Sequence, residues 1–193
     1  VEKPLLYYRN NLTSFVNVLE LISKYGCSNI VFSSSATVYG EADVQPVTEL
    51  APRKPATSPY GNTKQMCEDI LRDTVAAAGG AIHGIALRYF NPIGAHPSAE
   101  IGELPRGVPQ NLVPFVTQTA AGIRECLSVF GDDYDTPDGS CIRDYIDVVD
   151  LARAHVVAIG RMIEGRNKEN FEIFNVGTGR GVSVLELVRA FER

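Results

Sequence analysis

An α/β fold with a doubly wound parallel sheet is predicted by the alternation of helix and strand patterns in the first half of the chain. Apolar residues recur at helical spacing over residues 5–25 and 60–78, and short β-branched and aromatic runs occupy residues 29–34 and 82–89. Such short runs are typical of parallel strands that are buried on both faces. Because ligands of open α/β sheets bind beyond the carboxyl ends of the strands, we expect Ser35 to lie at the mouth of a site.

The ends of the first two helices carry recognisable stop and start signals. Gly26 is a natural C-terminal stop for the first helix. Ser58 is a good N-cap for the second helix, and Pro59 fits its first position, where no amide donor is lost. Residues 41–57 contain three prolines and no period, so we expect a loop between the first strand and the second helix.

The second half of the chain has a different character. After Ala95 the strand and helix alternation breaks, and residues 97–110 are rich in Gly and Pro. Beyond them we expect, in chain order, a helix at 111–123, strands at 127–130 and 141–146, a helix at 147–162 and a strand at 171–176. The pattern Ser183-x-x-Glu186 is a capping box that predicts a last helix.

Composition and charge exclude several classes of partner. The 193 residues are 45% hydrophobic and 21% charged, with a net charge of −5 and no basic block, which argues against nucleic acid or an anionic membrane as partner. No apolar run approaches the roughly 20 residues of a membrane span, so we expect no membrane-spanning helix, and the residues before Leu5 do not have the charged-then-apolar pattern of a leader. The four cysteines form no Cys-x-x-Cys pair, so we expect no metal site and reduced thiols in a cytoplasmic protein. They are Cys27, Cys67, Cys126 and Cys141.

Tyr60 and Lys64 form the candidate catalytic pair. Residues four apart share one helical face, so a phenol and an ammonium can point into one pocket in the first turns of this helix. A phenol with a pKa near 10 must lose roughly 3 units to act as a base near neutral pH. A neighbouring cation has an effect of that order in a partly dry site, so we expect Lys64 to lower the pKa of Tyr60.

Four ordered motifs carry a family resemblance. They are Ser-Ser-Ser-Ala-Thr-Val-Tyr-Gly at residues 33–40, Tyr60-Gly61-x-x-Lys64, Leu-Arg-Tyr-Phe-Asn-Pro at residues 87–92 and Arg-Asp-Tyr-Ile at residues 143–146. Together they resemble the extended short-chain dehydrogenase/reductases, and within them the UDP-glucose (UDP-galactose) 4-epimerases. The resemblance runs along the whole chain and implies a Rossmann-like sheet. The Gly-rich phosphate loop and first strands of that family are absent from the sequence, which contains no G-x-G-x-x-G or G-x-x-G-x-x-G before a helix.

The resemblance implies epimerisation at C4 of UDP-hexoses, with NAD as cofactor and a 4-keto intermediate. In the implied reaction Tyr60 takes the proton of the sugar's C4 hydroxyl, and Lys64 lowers the pKa of the Tyr60 phenol. Ser35 hydrogen bonds to the C4 hydroxyl. The cofactor-binding residues implied are Asn10, Ser35, Tyr60, Lys64, Tyr89 and Phe90. The substrate-binding residues implied are Ser35, Ala36, Thr37, Tyr60, Phe90, Asn91, Asn111, Leu112, Phe130 and Arg143.

Three of these residues also have plain structural interpretations. Asn10 fits a solvated position on the first helix, and Phe90 fits the core beside a strand. Arg143 suits a sugar-nucleotide diphosphate through its planar fork, but a surface salt bridge to Asp144 or Asp147 would use it equally.

The resemblance also implies how the chain is divided. We expect residues 1–95 to form the C-terminal part of a dinucleotide-binding domain. Residues 96–193 are then mostly a smaller, interleaved substrate-binding region, with residues 145–176 returning to the main sheet. A homodimer is implied as well, paired through the helices at 5–25 and 60–78, which predicts an exposed apolar patch on an isolated chain.

Two alternative functions are considered. A nucleotide-sugar 4,6-dehydratase would resemble this sequence but needs an Asp-Glu pair after the strand-end hydroxyl, where this chain has Ala36 and Thr37. The other is a non-catalytic or truncated chain that binds a nucleotide sugar. The complete set of Ser35, Tyr60 and Lys64 argues against degeneracy but not against truncation.

Overall fold

The computed structural model describes residues 2–193 and divides them into two units. The first unit comprises the residues up to Phe90 together with Ala152–Val176, and the second comprises Asn91–Leu151 and Gly177–Arg193. The first unit therefore ends five residues earlier than the expected boundary at residue 95, and the chain re-enters it at Ala152 and not at residue 145. The reason is strand pairing, because residues 91–93 pair with residues 145–147 inside the second unit.

The first unit contains a sheet of three parallel strands, which confirms the predicted α/β fold. The strands are β1 (Asn29–Ser35), β2 (His83–Tyr89) and β5 (Phe171–Val176), in the order β1-β2-β5. Its helices are α1 (Pro4–Tyr25), α2 (Pro59–Ala77) and most of α4 (Val148–Ile163). The predicted bounds of these six elements are correct to within one or two residues.

Helices cover both faces of this sheet, as a doubly wound fold requires. Side chains of α1 and α2, including Phe15 and Leu71, form one core cluster with Phe32 of β1. On the other face, Met162 of α4 belongs to a second cluster with Leu87 of β2. Successive strand residues point to opposite faces, and each fully buried large apolar side chain contributes about 1.5–3 kcal/mol to folding.

Caps and a close approach place the segments around the carboxyl end of β1. Ser58 accepts a hydrogen bond from the Gly61 amide at 3.1 Å, so the predicted N-cap of α2 is confirmed. A short 3₁₀ helix, Ala36–Tyr39, follows β1 and ends at Gly40 with φ +63°. A Cβ on Gly40 would lie 2.6 Å from the Pro55 carbonyl oxygen, so only glycine lets the loop approach here.

The second unit is built around β4 (Ile142–Asp147). This strand pairs in parallel with β3 (Asn91–Ile93) and antiparallel with β6 (Gly181–Ser183). The helices of this unit are α3 (Leu112–Ala120) and α5 (Val184–Phe191), and the predicted capping box of Ser183 and Glu186 opens α5. Within the described residues, no helix is both long enough and apolar enough to cross a membrane.

Two sequence predictions in the second unit are wrong. The helix expected at residues 111–123 ends at Ala120, because Gly122 adopts a left-handed φ of +71° that terminates it, and Ile123 is left 73% exposed. The strand expected at residues 127–130 does not form. Both edges of β4 are occupied by β3 and β6, so this apolar run does not pair with the central strand of the unit.

Candidate active site

The predicted catalytic residues lie together at the carboxyl ends of β1 and β2. Ser35 and Tyr89 are partners in the β1–β2 register, and both act on the phenol of Tyr60, which α2 presents from its first turn. The Lys64 ammonium lies 5.5 Å from the centre of the Tyr60 ring, as expected for residues four apart on a helix. This grouping of a hydroxyl, a phenol and an ammonium is the central feature of the first unit.

Ser35 is fixed by the turn that follows its strand. It is the N-cap of the 3₁₀ helix, and its hydroxyl oxygen accepts hydrogen bonds from the Thr37 amide at 3.3 Å and the Thr37 hydroxyl at 3.0 Å. The side chain is buried, and hydrogen bonding by its hydroxyl is the one influence that lowers the pKa of the Tyr60 phenol. Thr37, a predicted substrate-binding residue, therefore also holds Ser35 in place, and Ala36 lies beside it in the same turn.

Lys64 is held by the backbone of β1. Its ammonium donates to the Ser33 carbonyl oxygen at 2.8 Å and lies 5.0 Å from the centre of the Phe32 ring. The Ser33 hydroxyl lies 2.9 Å from Nε2 of His155 on α4. The ammonium is thus directed at the end of the strand.

The pKa of Tyr60 is shifted in the direction opposite to the predicted one, and Lys64 is not among the groups that shift it. Burial, the largest influence, raises the pKa of the Tyr60 phenol above 10.0, and the nearby Tyr89 raises it further. Burial also lowers the pKa of Lys64. Desolvation disfavours the charged form of each group, and the depth at which the two are buried cannot be seen in the sequence. Only Ser35 acts in the predicted direction on Tyr60.

The remaining predicted cofactor-binding residues are placed less specifically. Asn10 is exposed on α1, so both its functional and its solvated interpretation stay open. Its neighbour Asn11 instead donates to the hydroxyl of Thr63 on α2 at 2.9 Å. Phe90 is half-buried, and its amide donates to the Val176 carbonyl at 3.3 Å, which continues the pairing of β2 with β5.

A cavity of about 320 Å³ in the second unit collects half of the predicted substrate-binding residues. Asn91 begins β3, Asn111 and Leu112 begin α3, and Arg143 lies on β4. These four and Phe130 all line the cavity. Five residues that are up to 52 positions apart in sequence therefore lie around one space.

The cavity also has lining residues that sequence reasoning missed. Cys141 and Tyr145 line it together with Arg143. The signal that could have found them is the strand period, since residues 143 and 145 share one face of β4 and Cys141 precedes the strand at the same spacing of two. Burial raises the pKa of Tyr145, and the positive charge of Arg143 partly opposes that shift.

Arg143 does not form the salt bridges that were its alternative interpretation. The carboxylate of Asp144 accepts hydrogen bonds from the amides of Thr178 and Gly179, at 2.9 and 2.8 Å. Asp147 caps α4 by accepting from the Val149 amide at 2.8 Å. Arg143 donates to the Ile142 carbonyl at 2.8 Å, and its guanidinium is exposed at the cavity. Over residues 2–193, no group of three or more possible metal ligands is found.

Known proteins resemble this chain in sequence and in structure. The curated UDP-glucose 4-epimerase 2 of Arabidopsis thaliana is 54% identical over all 193 residues, and the UDP-glucose 4-epimerase of Bacillus subtilis is 54% identical over 190 residues. The chain spans 54% and 55% of the lengths of these relatives. Its fold matches a crystal structure of UDP-glucose 4-epimerase from Bifidobacterium longum in complex with NAD⁺ and UDP, with a TM-score of 0.91 and 48% identity. That match covers 100% of this chain and 56% of the other.

A second structure and a family model agree with these matches. The UDP-glucose 4-epimerase of Stenotrophomonas maltophila, with bound NAD and formylated UDP-arabinopyranose, gives a TM-score of 0.92 at 49% identity. The match covers 99% of this chain and 55% of the Stenotrophomonas maltophila chain. Residues 1–177 match the model of the NAD dependent epimerase/dehydratase family. The chain therefore belongs to the NAD dependent epimerase/dehydratase family.

Proposed function

We propose that this chain serves the NAD-dependent epimerisation of UDP-glucose and UDP-galactose at C4, through a 4-keto intermediate. The observation that carries the proposal is the group formed by Ser35, Tyr60 and Lys64 at the carboxyl ends of parallel strands. Relatives named UDP-glucose 4-epimerase that are about half identical to the whole chain support it.

NAD is the proposed cofactor, and the residues of the first unit fit one end of it. Tyr60 and Lys64 present a hydroxyl and an ammonium side by side, a donor set that suits the hydroxyls of a ribose. Tyr89 and Phe90 at the end of β2 are proposed to line the same pocket, with Asn10 as a further contact. When bound, NAD supplies a reversible hydride acceptor for the sugar and is regenerated in each cycle.

The proton chemistry is assigned to residues of this chain. Tyr60 removes the proton from the C4 hydroxyl of the sugar. It returns the proton after the 4-keto intermediate has rotated in the site to present its other face. Ser35, whose hydroxyl lowers the pKa of the phenol, hydrogen bonds to the same sugar hydroxyl and aligns it. Lys64 orients the bound ribose while the Ser33 carbonyl holds its ammonium in place. Ala36, Thr37 and Phe90 are proposed to line the sugar position.

The second unit is proposed to bind the nucleotide part of the UDP-sugar. Arg143 offers a planar fork of donors that matches the oxygens of a diphosphate, and neither neighbouring aspartate occupies it. Asn91, Asn111, Leu112 and Phe130 supply polar and apolar lining around it. The cavity of about 320 Å³ has the size that small-molecule sites typically have.

The alternative functions find less support. A 4,6-dehydratase needs an acid and a base after the strand-end hydroxyl, and here Ala36 has no such group while the Thr37 hydroxyl is bonded to Ser35. Binding of the nucleotide sugar alone, in a non-catalytic chain, does not require a phenol and an ammonium to lie side by side. Retained binding without turnover would favour it.

Assembly and location are part of the proposal. We propose a homodimer paired through α1 and α2, supported by the exposed apolar side chains on α1. A cytoplasmic location is proposed on the strength of four cysteines that are all free thiols.

The experiment is an assay for interconversion of UDP-galactose and UDP-glucose by the purified chain in the presence of NAD. Tyr60→Phe is expected to lower kcat by about a hundredfold to ten-thousandfold with little change in UDP-sugar binding. The substitution removes only the phenol oxygen that accepts the proton from the sugar. Tyr134→Phe, on a side chain that is 49% exposed in the loop before β4, is the matched control. Full activity in Tyr60→Phe would refute the assignment of the base.

A further inference from the structure

A buried ion pair joins α2 to both strands that end at the active site. The Glu68 side chain is 1% exposed and that of Arg88 is 3% exposed. Arg88 donates from Nε and Nη2 to the two carboxylate oxygens of Glu68, at 2.9 and 2.6 Å. The buried hydroxyl of Ser34 donates to the same carboxylate at 2.5 Å. One carboxylate therefore holds a residue of β1 and a residue of β2.

This cluster lies next to the reacting groups in the sheet. Ser34 and Arg88 are partners in the β1–β2 register, and the next pair along is Ser35 with Tyr89. That next pair contains the two residues that act on the Tyr60 phenol. On α2, Glu68 lies eight residues after Tyr60, on the same helical face. The ion pair is thus one register step and two helical turns from the reacting groups.

Packing around the pair leaves its charged groups little freedom. The Arg88 guanidinium lies 4.7 Å from the centre of the Tyr39 ring, and the Tyr39 hydroxyl donates to Asn175 at 2.6 Å. Arg53 approaches the Glu68 carboxylate at 3.7 Å and binds Asp69 at 2.6 Å. The carboxylate is thereby fixed from the helix, from both strands and from the loop that carries Arg53.

We propose that Glu68 is a positioning residue, which sets the separation of Ser35 and Tyr60 by fixing α2 to β1 and β2. The inference rests on the proposed function, in which those two residues align and deprotonate the sugar hydroxyl. A buried ion pair contributes little net stability compared with apolar residues of similar volume, because desolvation offsets the attraction. Its bidentate geometry instead fixes the direction and distance of the groups that it joins.

The test replaces the pair without leaving a buried charge. The double variant Glu68→Met/Arg88→Met keeps the volume and removes the directed contacts, so its denaturant midpoint is expected to stay close to that of the unaltered chain. Its kcat is expected to fall by about a hundredfold with KM nearly unchanged, since small misplacements of reacting groups have effects of that size. The matched control is Glu172→Met/Arg161→Met, which removes a bidentate ion pair between α4 and β5 with distances of 2.7 and 2.8 Å. Its kcat is expected to stay unchanged.

A second readout does not depend on turnover. Phenolate absorbance, taken as the difference between each protein and its Tyr60→Phe counterpart, follows the titration of Tyr60 alone. Loss of the Ser35 hydrogen bond in the double variant is expected to move that titration to higher pH, whereas the control pair leaves it in place. An unaltered chain without epimerase activity would defeat the proposed function, and this titration would still decide the positioning role.

A stable double variant with unchanged kcat and unchanged Tyr60 titration would overturn the proposal. Should the double variant fail to fold, Ser34→Ala decides the question, because it removes one hydrogen bond and leaves the ion pair intact. In that variant the Tyr60 titration is again expected at higher pH, with a smaller loss of kcat. An unchanged titration and kcat in Ser34→Ala would then overturn the proposal.

Discussion

The protonation of Tyr60 is set by a balance between burial and a single hydroxyl. Burial and Tyr89 raise the pKa of the phenol, and the hydrogen bond with Ser35 lowers it. A base works in its deprotonated form, so a raised pKa leaves a smaller reactive fraction at neutral pH, by a factor of ten for each unit. Ser35 therefore acts on the rate through the phenol as well as through any contact with substrate.

Ser35→Ala is expected to shift the pH dependence of kcat/KM. The ascending limb follows deprotonation of Tyr60, and loss of the pKa-lowering hydrogen bond moves that limb to higher pH. The rate at neutral pH falls, and part of the loss is recovered as the pH rises. Initial rates across a pH series measure this. The control is Ser14→Ala, on an exposed serine that bonds only to α1 carbonyls. A uniform loss with an unmoved limb would contradict the role of Ser35 on the phenol.

The sequence predicted which residues meet at this site but not how they are charged. Four-residue spacing on a helix was enough to bring Tyr60 and Lys64 together, because helix geometry is local. Their pKa values depend on burial by strands and loops distant in sequence, and the Ser33 carbonyl that engages Lys64 is a backbone group without a sequence signature. Glu68 was missed although it continues the same spacing, since the partner that makes it significant, Arg88, comes from another strand.

At the scale of elements, the first turn of α2 is held by one cap. Ser58→Ala removes the acceptor for the Gly61 amide and is expected to lower the free energy of unfolding by about 1 kcal/mol. Denaturant unfolding followed by circular dichroism measures this loss. Ser58→Asp restores an acceptor and is expected to retain most of the stability, since a carboxylate also suits a helix N-terminus. Equal stability of the alanine variant and the unaltered chain would mean that the cap contributes nothing.

Arg143 is the donor on β4 that the cavity offers to a diphosphate. Arg143→Met is expected to weaken the binding of UDP by about 1.5–3 kcal/mol, the usual worth of a hydrogen bond to a charged group. Arg143→Lys keeps the charge but loses the planar fork, so an intermediate affinity is expected. Isothermal titration with UDP measures both. Arg166→Met is the control, because that arginine is exposed and pairs with Glu164 at 2.5 Å. The same weakening in the control would remove Arg143 from the site.

The elements of the two units differ in how well sequence predicts them. Those of the first unit have strong periods and clear stops, so each local pattern agrees with the sheet that forms. In the second unit the run at residues 127–130 has a strand pattern but no partner, whereas β4 pairs with β3 and β6, which come from distant segments. A strand is defined by pairing, and pairing between distant segments is invisible in local sequence.

At the scale of the whole molecule, the chain's division follows its pairing and not its composition. Gly and Pro enrichment begins after Ala95, and sequence reasoning placed the boundary there. The first unit nevertheless ends at Phe90, because the next three residues pair with β4. Composition marks where the chain becomes irregular, whereas contacts mark where a compact unit ends.

An exposed apolar face on α1 supports the proposed dimer. Val18, Leu21 and Tyr25 are at i, i+3 and i+7 on that helix, and their exposed fractions are 46%, 50% and 70%. A contiguous apolar stripe of this kind marks an interface, and a second copy related by two-fold symmetry would cover it. Leu21→Glu places a charge in the stripe and is expected to convert the dimer to a monomer, as measured by sedimentation equilibrium. Leu50→Glu, on a loop side chain that is 95% exposed, is expected to leave the mass unchanged. A monomeric unaltered chain, or a dimer that persists in Leu21→Glu, would contradict pairing through this face.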